Sequence, residues 1–530
     1  MTAVSRTRRE FLRNVGQGMI VAAVGAGLAA DLGVSAVAAE GDGAGGDRLT
    51  FGGMEGLVAL MQETPPERLN AVMVAKLRDG VGLKTLTAAA ALANARTFGG
   101  EDYVGYHAMM ALGPAYQMSR ELSGAGAALP VLKVLYRNTT RIRERGGRAH
   151  EALRPVTAGE PGARPAPDGE ALRAAVRAKD ATAAERVFAA IAARGGADEA
   201  FNALLMEVQD ETEVHRVVLP YRAWDMLELA GPEHAHTLLR QSVRYCLQAE
   251  SWSRRAPGGD PTLGPRKVLP AVLDKFKLPG REAGTRPADD ATVERLATAI
   301  FGGTPQQAAD VAGGALADGF APDVVGEAIA LAANQLILRD AGRSAREEVT
   351  GKPIGSVHGD SIGVHACDSA NAWRNMARAA RPANAVACLV LGAYQVALDR
   401  TDRGGDFLNW EPLPLKRHVD GVKATDAPAL LAAADEAIRG NLQARAAAVV
   451  HRYGQLGHDP RGAMDLLLKY AVSEDGSLHA EKFYRTATDE FAHARPAFRW
   501  RQLAALARVT ASEYGRPAAG VAEARAMLGA

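Results

Sequence analysis

Apolar residues recur along most of the chain with the 3.6-residue period of an amphipathic helix, and sustained alternation of apolar and polar residues is almost absent. This pattern predicts an all-α protein. Segments rich in proline, glycine and arginine interrupt it. They predict an exposed loop at 143–169, a connection at 257–290, an insertion at 339–359 and an irregular segment at 400–421.

The helical segments repeat once along the chain, in residues 40–256 and again in residues 291–530. His107 of the first half matches His365 of the second, and the spacing from each histidine to a later Met, Arg and Tyr is the same. Further on, His215 matches His451. The repeat predicts two fused homologous helical halves, packed about a pseudo-twofold axis that brings matched residues to one central site.

The N-terminus carries Arg8 and Arg9, followed by Phe11 and Leu12, and then a weakly apolar run with small residues near Ala39. Residues 1–39 therefore resemble a twin-arginine signal peptide. The resemblance implies an exported, periplasmic protein that the twin-arginine machinery translocates folded, often with a cofactor in place. Because the apolar run contains glycines and reaches Asp31, we expect no stable membrane insertion.

Composition excludes several classes of function. Net charge is +1 and no long charged block occurs, so nothing indicates a nucleic-acid partner. Three scattered cysteines cannot form a disulfide framework, and the lack of Cys-x-x-Cys-His excludes covalent haem. Neither a P-loop nor a Gly-x-Gly-x-x-Gly after a strand is present, so a classical nucleotide site is not expected. A small-molecule substrate or ligand remains.

The densest group of potential ligands is His358, His365 and Asp368, in which the last two lie three apart on one helix face. Two imidazoles and a carboxylate suit a non-haem transition metal, Fe or Zn. The repeat adds further candidate metal ligands, namely His107, His215 and His451. His365 and Asp368 are also the expected catalytic residues, with Tyr103 and Arg374 orienting a substrate.

Two other interpretations stay open. The histidines could instead be core residues hydrogen-bonded within packed helices. Glu-x-x-His also occurs twice, at Glu233–His236 and at Glu490–His493, which is the spacing that di-iron four-helix bundles use.

Two short stretches, around Tyr106-His107-Ala108 and around His365-Ala366 with Trp373-Arg374, resemble the questin-oxidase-like family. The resemblance implies an all-helical fold and oxidative chemistry on aromatic substrates. We therefore expect an exported, metal-dependent oxidoreductase acting on a small organic substrate. The alternative is a non-catalytic helical scaffold or ligand-binding protein of the cell envelope.

Overall fold

A computed structural model describes residues 48–157, 168–252, 260–350, 352–402 and 406–530. The predicted signal peptide at 1–39 lies outside the described residues, as does part of the predicted loop at 143–169. The all-α prediction is confirmed. In the described residues helices dominate, and β pairing is limited to three isolated bridges.

The helices of the first half have these bounds: Glu55–Glu63, Pro66–Arg78, Leu83–Phe98, Tyr103–Glu121, Leu129–Glu144, Gly169–Arg177, Ala181–Val208, Val214–Asp225, Leu227–Ala230 and Ala235–Ala249. Those that follow are Pro265–Lys275, Asp290–Gly302, Pro305–Ala317, Pro322–Leu338, Ile362–Ala379, Pro382–Asp402, Lys416–Asp420, Ala427–Arg439, Gln443–Gln455, Pro460–Ser473, His479–His493, Trp500–Glu513 and Val521–Leu528.

Local sequence explains how several helices begin and end. Helices Pro66–Arg78 and Pro305–Ala317 both start with proline, whose fixed φ suits the first helical position. Each is 13 residues long and is followed by Asp-Gly. Gly80 and Gly319 adopt φ of 89° and 81°, a left-handed conformation that favours glycine. This local likeness agrees with the repeat, and superposition of the whole halves stays a prediction.

The two halves share one continuous apolar core. The C-terminal helix Val521–Leu528 returns to the first half, where Asn70 donates to Glu523 Oε2 at 2.6 Å. Deeper inside, Lys133 Nζ lies 2.7 Å from Glu481 Oε1. Because buried contacts cross between the halves, the histidine-bearing helices of both are held in fixed register.

Two of the proline-rich segments contain helices. The predicted connection at 257–290 includes helix Pro265–Lys275, whose first proline occupies a position where its missing N–H costs nothing. The segment at 400–421 contains the short helix Lys416–Asp420. A proline-rich sequence therefore does not exclude helices in these two segments.

Helix Pro382–Asp402 includes a 20-residue stretch, Pro382–Thr401, that is long and apolar enough to cross a membrane. The mean hydropathy is 1.2 over an 18-residue part of this stretch, and 72% of that part is buried inside the protein. A helix buried in a protein core can have the same length and the same mean hydropathy.

Candidate functional site: a four-histidine cluster

Four histidines from four helices meet inside the protein. They are His107 of helix Tyr103–Glu121, His215 of Val214–Asp225, His365 of Ile362–Ala379 and His479 of His479–His493. Each belongs to the first turns of its helix, and none is more than 5% exposed. We call these four residues the histidine cluster.

Each of the four imidazole rings lies beside two of the others, so the ring contacts form a closed cycle. Ring centroids are 4.8 Å apart for His107 and His215, and 5.4 Å for His365 and His479. Between these pairs they are 5.0 Å apart for His107 and His479, and 5.9 Å for His215 and His365. The Nε2 atoms face each other at 3.3 Å within each pair. All four side chains therefore point into one small volume.

The residues just before two of the cluster histidines have distinctive side-chain or backbone features. The side chain of Glu213 accepts hydrogen bonds from the backbone N–H groups of His215 and Arg216, which caps that helix. Ser477 and Leu478 both adopt positive φ, 51° and 67°, immediately before His479. Non-glycine residues in this conformation carry backbone strain, which concentrates at functional sites.

Hydrogen bonds fix the tautomers of three rings. Carbonyl and carboxylate oxygens only accept, so a neutral ring that contacts one carries its proton on the contacting nitrogen. His107 Nδ1 donates to the Tyr103 carbonyl at 2.7 Å, and His215 Nδ1 donates to Glu213 Oε1 at 2.8 Å. His479 Nδ1 donates to the Ser477 carbonyl at 3.1 Å. In each of these rings, when the ring is neutral, Nε2 therefore carries only a lone pair.

When both rings are neutral, His107 and His215 place two Nε2 lone pairs opposite each other at 3.3 Å. A shared proton would relieve the repulsion only if one ring became an imidazolium. Burial lowers the pKa of His107 well below its ordinary value, and the charge of Lys482 lowers it further. Helix N-termini also oppose protonation.

The spacing matches a tetrahedral metal. Imidazole nitrogens about 2.0–2.1 Å from one metal lie about 3.3–3.4 Å from each other at tetrahedral angles, and their ring centroids lie about 5.2 Å apart. Within the described residues, however, no group of three or more His, Cys, Asp or Glu is already arranged as a metal site. Metal binding would require the two Nε2 pairs to converge on one point.

Two tyrosines border the cluster. The Tyr103 ring lies 4.3 Å from that of His107, centroid to centroid, and the Tyr106 ring lies 5.0 Å from that of His215. Tyr103 Oη is buried without a hydrogen-bond partner in the described residues. The sequence-based placement of Tyr103 beside the site agrees with this geometry.

A layer of charged residues lies one to two turns further along three of the helices. Asp368, three residues after His365, accepts a hydrogen bond from Thr486 Oγ1 at 2.8 Å, and burial raises its pKa. Lys482 follows His479 by three residues, and Arg222 follows His215 by seven. Burial lowers the pKa of Lys482 to about 8, with Arg222 adding to the effect.

Three predicted residues do not join the cluster. His358 Nδ1 contacts the guanidinium of Arg516 at 2.5 Å, which occupies that nitrogen. His451 lies on helix Gln443–Gln455, where burial and the charge of Arg501 lower its pKa. Arg374 pairs with Glu490 Oε2 at 2.5 Å.

Asp368 is likewise no member of the histidine cluster, since its Oδ1 is bonded to Thr486. In the described residues, neither His358 nor His451 makes a ring contact with the four imidazoles, so neither belongs to this cluster, and their role as metal ligands stays a prediction.

Sequence reasoning missed His479. The repeat matched His215 with His451 because a Leu-Leu-basic sequence follows each of them. In the structure, His479 occupies the position in the cluster that this match assigned to His451. The available signal was Gly476-Ser477, a turn sequence just before His479. A histidine that begins a helix just after a turn is a weaker sequence signal than a histidine inside a long helical pattern.

The di-iron interpretation is not supported. Glu233 is exposed, and Glu490 is engaged by Arg374 and Asn371. His493 Nδ1 donates to the Asp489 carbonyl, as a residue in its own helix does. The four residues of the two Glu-x-x-His motifs do not come together.

Gly359→Ala should disrupt the cluster. A Cβ at Gly359 would lie 2.3 Å from the Cβ of His479, which cannot rotate away. We expect unfolding free energy to fall by roughly 1–3 kcal/mol, the usual cost of overpacking, with a measurable shift in the urea midpoint. Gly56→Ala, where nothing lies within 4 Å, is the control and should be neutral or stabilising. Equal midpoints for the two variants would contradict the close contact.

The metal-free protein should lose stability in acid. Burial lowers the pKa values of His107, His365 and His479 well below about 6.5, where the unfolded chain binds the same protons. Stability is therefore complete above pH 6.5 and falls as the pH decreases below it. Each histidine adds a slope of up to about 1.4 kcal/mol per pH unit. Urea titrations across this range measure the slope, and His365→Gln should reduce it. A flat profile would contradict neutral burial.

Comparison of the chain with protein-family models, with curated proteins and with solved structures finds no match.

Proposed function

We propose that this chain is an exported metalloprotein, a metal-dependent oxidoreductase whose metal is held by His107, His215, His365 and His479. One observation carries the proposal: the Nε2 atoms of His107 and His215 face each other 3.3 Å apart, in rings whose Nδ1 atoms both contact an acceptor oxygen. A transition-metal ion between the pairs would satisfy the nitrogens that now face each other.

The surroundings of the cluster support this proposal. Metal-bound histidines usually donate their second N–H to a carboxylate or a carbonyl, which orients the ring and raises its basicity. Glu213, Ser477 and Tyr103 supply such acceptors. The Glu213 carboxylate also offsets the partial positive charge of the helix N-termini, which would otherwise oppose a cation.

The oxidative part of the proposal rests on the ligands and their neighbours. An all-imidazole set suits Cu, Fe, Ni or Zn. Neutral ligands leave the metal charge uncompensated, so a redox-active metal would favour its reduced state and act as an oxidant. Tyr103 and Tyr106 are oxidisable side chains in ring contact with the ligands. The twin-arginine resemblance adds an export route that carries folded proteins with cofactors.

A zinc-stapled scaffold is the second candidate, favoured by how closed the cluster is. All four imidazoles are buried, and a cavity of about 20 Å³ beside helix His479–His493 is lined by residues that include Tyr470, Phe483 and Glu513 and none of the four histidines. Structural zinc sites are closed and four-coordinate. A metal drawn from both halves would then hold the fold together.

Elemental analysis of protein recovered from its own periplasm separates the candidates. The proposal predicts about one Fe or Cu ion per chain and an electron paramagnetic resonance signal that changes when the metal is oxidised or reduced. One zinc per chain without redox activity favours the scaffold. Protein with an intact fold and no metal, even after dialysis against each ion, contradicts both.

A further inference from the structure

Two buried cations lie beside the histidine cluster. Lys482 is three residues after His479, and Arg222 is seven residues after His215, so each shares a helix face with its histidine. Both side chains are about 3% exposed. We call Lys482 and Arg222 the cationic pair.

The donors of the cationic pair are not satisfied by the described residues. Arg222 Nε and Nη1 are buried without a hydrogen-bond partner. The one ion pair of Arg222 there is a long one, 3.9 Å to Asp225 Oδ2. Lys482 Nζ has no hydrogen bond or ion pair in the same part of the chain. A buried polar group left in this state costs about 1–3 kcal/mol, and more when it is charged.

Helix register places Lys482 one turn beyond His479 and Arg222 two turns beyond His215, and the two cations influence the histidine cluster and each other. The charge of Arg222 lowers the pKa of Lys482, and the charge of Lys482 lowers the pKa values of His107 and His479. Asp368 is the carboxylate that most favours the charged form of Lys482, but its Oδ1 is bonded to Thr486.

We propose that the cationic pair binds a small organic carboxylate next to the histidine cluster. The planar fork of arginine matches a carboxylate with two parallel hydrogen bonds, and the lysine ammonium adds a point charge. The inference rests on the proposed function only in calling this ligand the substrate. It narrows the small organic substrate of the oxidoreductase to a carboxylate.

Calorimetric titration of the mature full-length protein with sodium acetate, at an ionic strength held with sodium chloride, tests the proposal. We expect one saturable site. Arg222→Met and Lys482→Met should each weaken acetate binding by about tenfold to a hundredfold, since a hydrogen bond to a charged group contributes about 1.5–3 kcal/mol. Arg378→Met is the matched control, because Arg378 pairs with Asp323 at the surface, and it should leave the affinity unchanged.

Three outcomes overturn the inference: no saturable heat, equal affinity in all variants, or a loss in Arg378→Met as large as in Arg222→Met. If a methionine variant fails to fold, Arg222→Lys keeps the charge and removes the fork, and should still weaken binding. Metal content is measured on the same samples. Acetate binding to protein without any metal would end the oxidoreductase proposal and keep the carboxylate site, whereas metal without acetate binding would do the reverse.

Discussion

His479→Ala is expected to fold and to retain little of the metal that we propose for the parent protein. The change removes one of four imidazoles and leaves His365 Nε2 without the nitrogen that faces it at 3.3 Å. Loss of a ligand should exceed the 10–100-fold decrease in affinity that loss of a mere supporting partner produces. Elemental analysis after gel filtration, with circular dichroism as the check on folding, measures the effect.

His451→Ala is the matched control for that experiment. His451 is also a partly buried helical histidine, but it lies on helix Gln443–Gln455 away from the cluster. Its replacement should leave the metal content unchanged. Full metal in a folded His479→Ala protein, or equal losses in the two variants, would remove His479 from the site.

Glu213→Gln should lower metal affinity by about 10–100-fold without unfolding the protein. The carboxylate accepts from His215 Nδ1 at 2.8 Å, from two backbone N–H groups and from Tyr245 Oη at 2.7 Å. A neutral amide cannot accept all four bonds or supply the negative charge that makes His215 a stronger ligand. Competition with a chelator of known affinity measures the change.

Two further variants serve as comparisons for this prediction: Tyr245→Phe with an intermediate expected effect, and Glu228→Gln with none. Tyr245→Phe deletes one of the bonds to Glu213, so its effect should lie between those of parent and Glu213→Gln. Glu228 is an exposed carboxylate beyond the end of the same helix, and its neutralisation should not change affinity. An unchanged chelator constant in Glu213→Gln would show that His215 does not bind the metal.

Much of the fold could be predicted because helical periodicity and caps are local. The 3.6-residue period predicted the all-α class, and Thr304-Pro305 with Asp318-Gly319 marks both ends of a helix that the structure contains. The helix at Pro265–Lys275 escaped because proline at a first helical position looks, in sequence, like proline in a loop.

The candidate site could be predicted only in part. His107 and His365 were found together because their spacing to later residues repeats, and His215 was found but matched with His451, which is not in the cluster. His479 depends on two strained residues that sequence does not reveal, Ser477 and Leu478. Lys482 and Arg222 could not be found, since a lysine or arginine in a helix normally belongs to a solvated face and only packing shows these two as buried.

X-ray absorption at the metal edge of the purified protein tests the four-histidine centre most directly. The account predicts about one metal ion per chain, surrounded by four imidazole nitrogens at about 2.0–2.1 Å. A shell dominated by oxygen, fewer than three imidazoles in the parent protein, or a spectrum that His479→Ala leaves unchanged would contradict it.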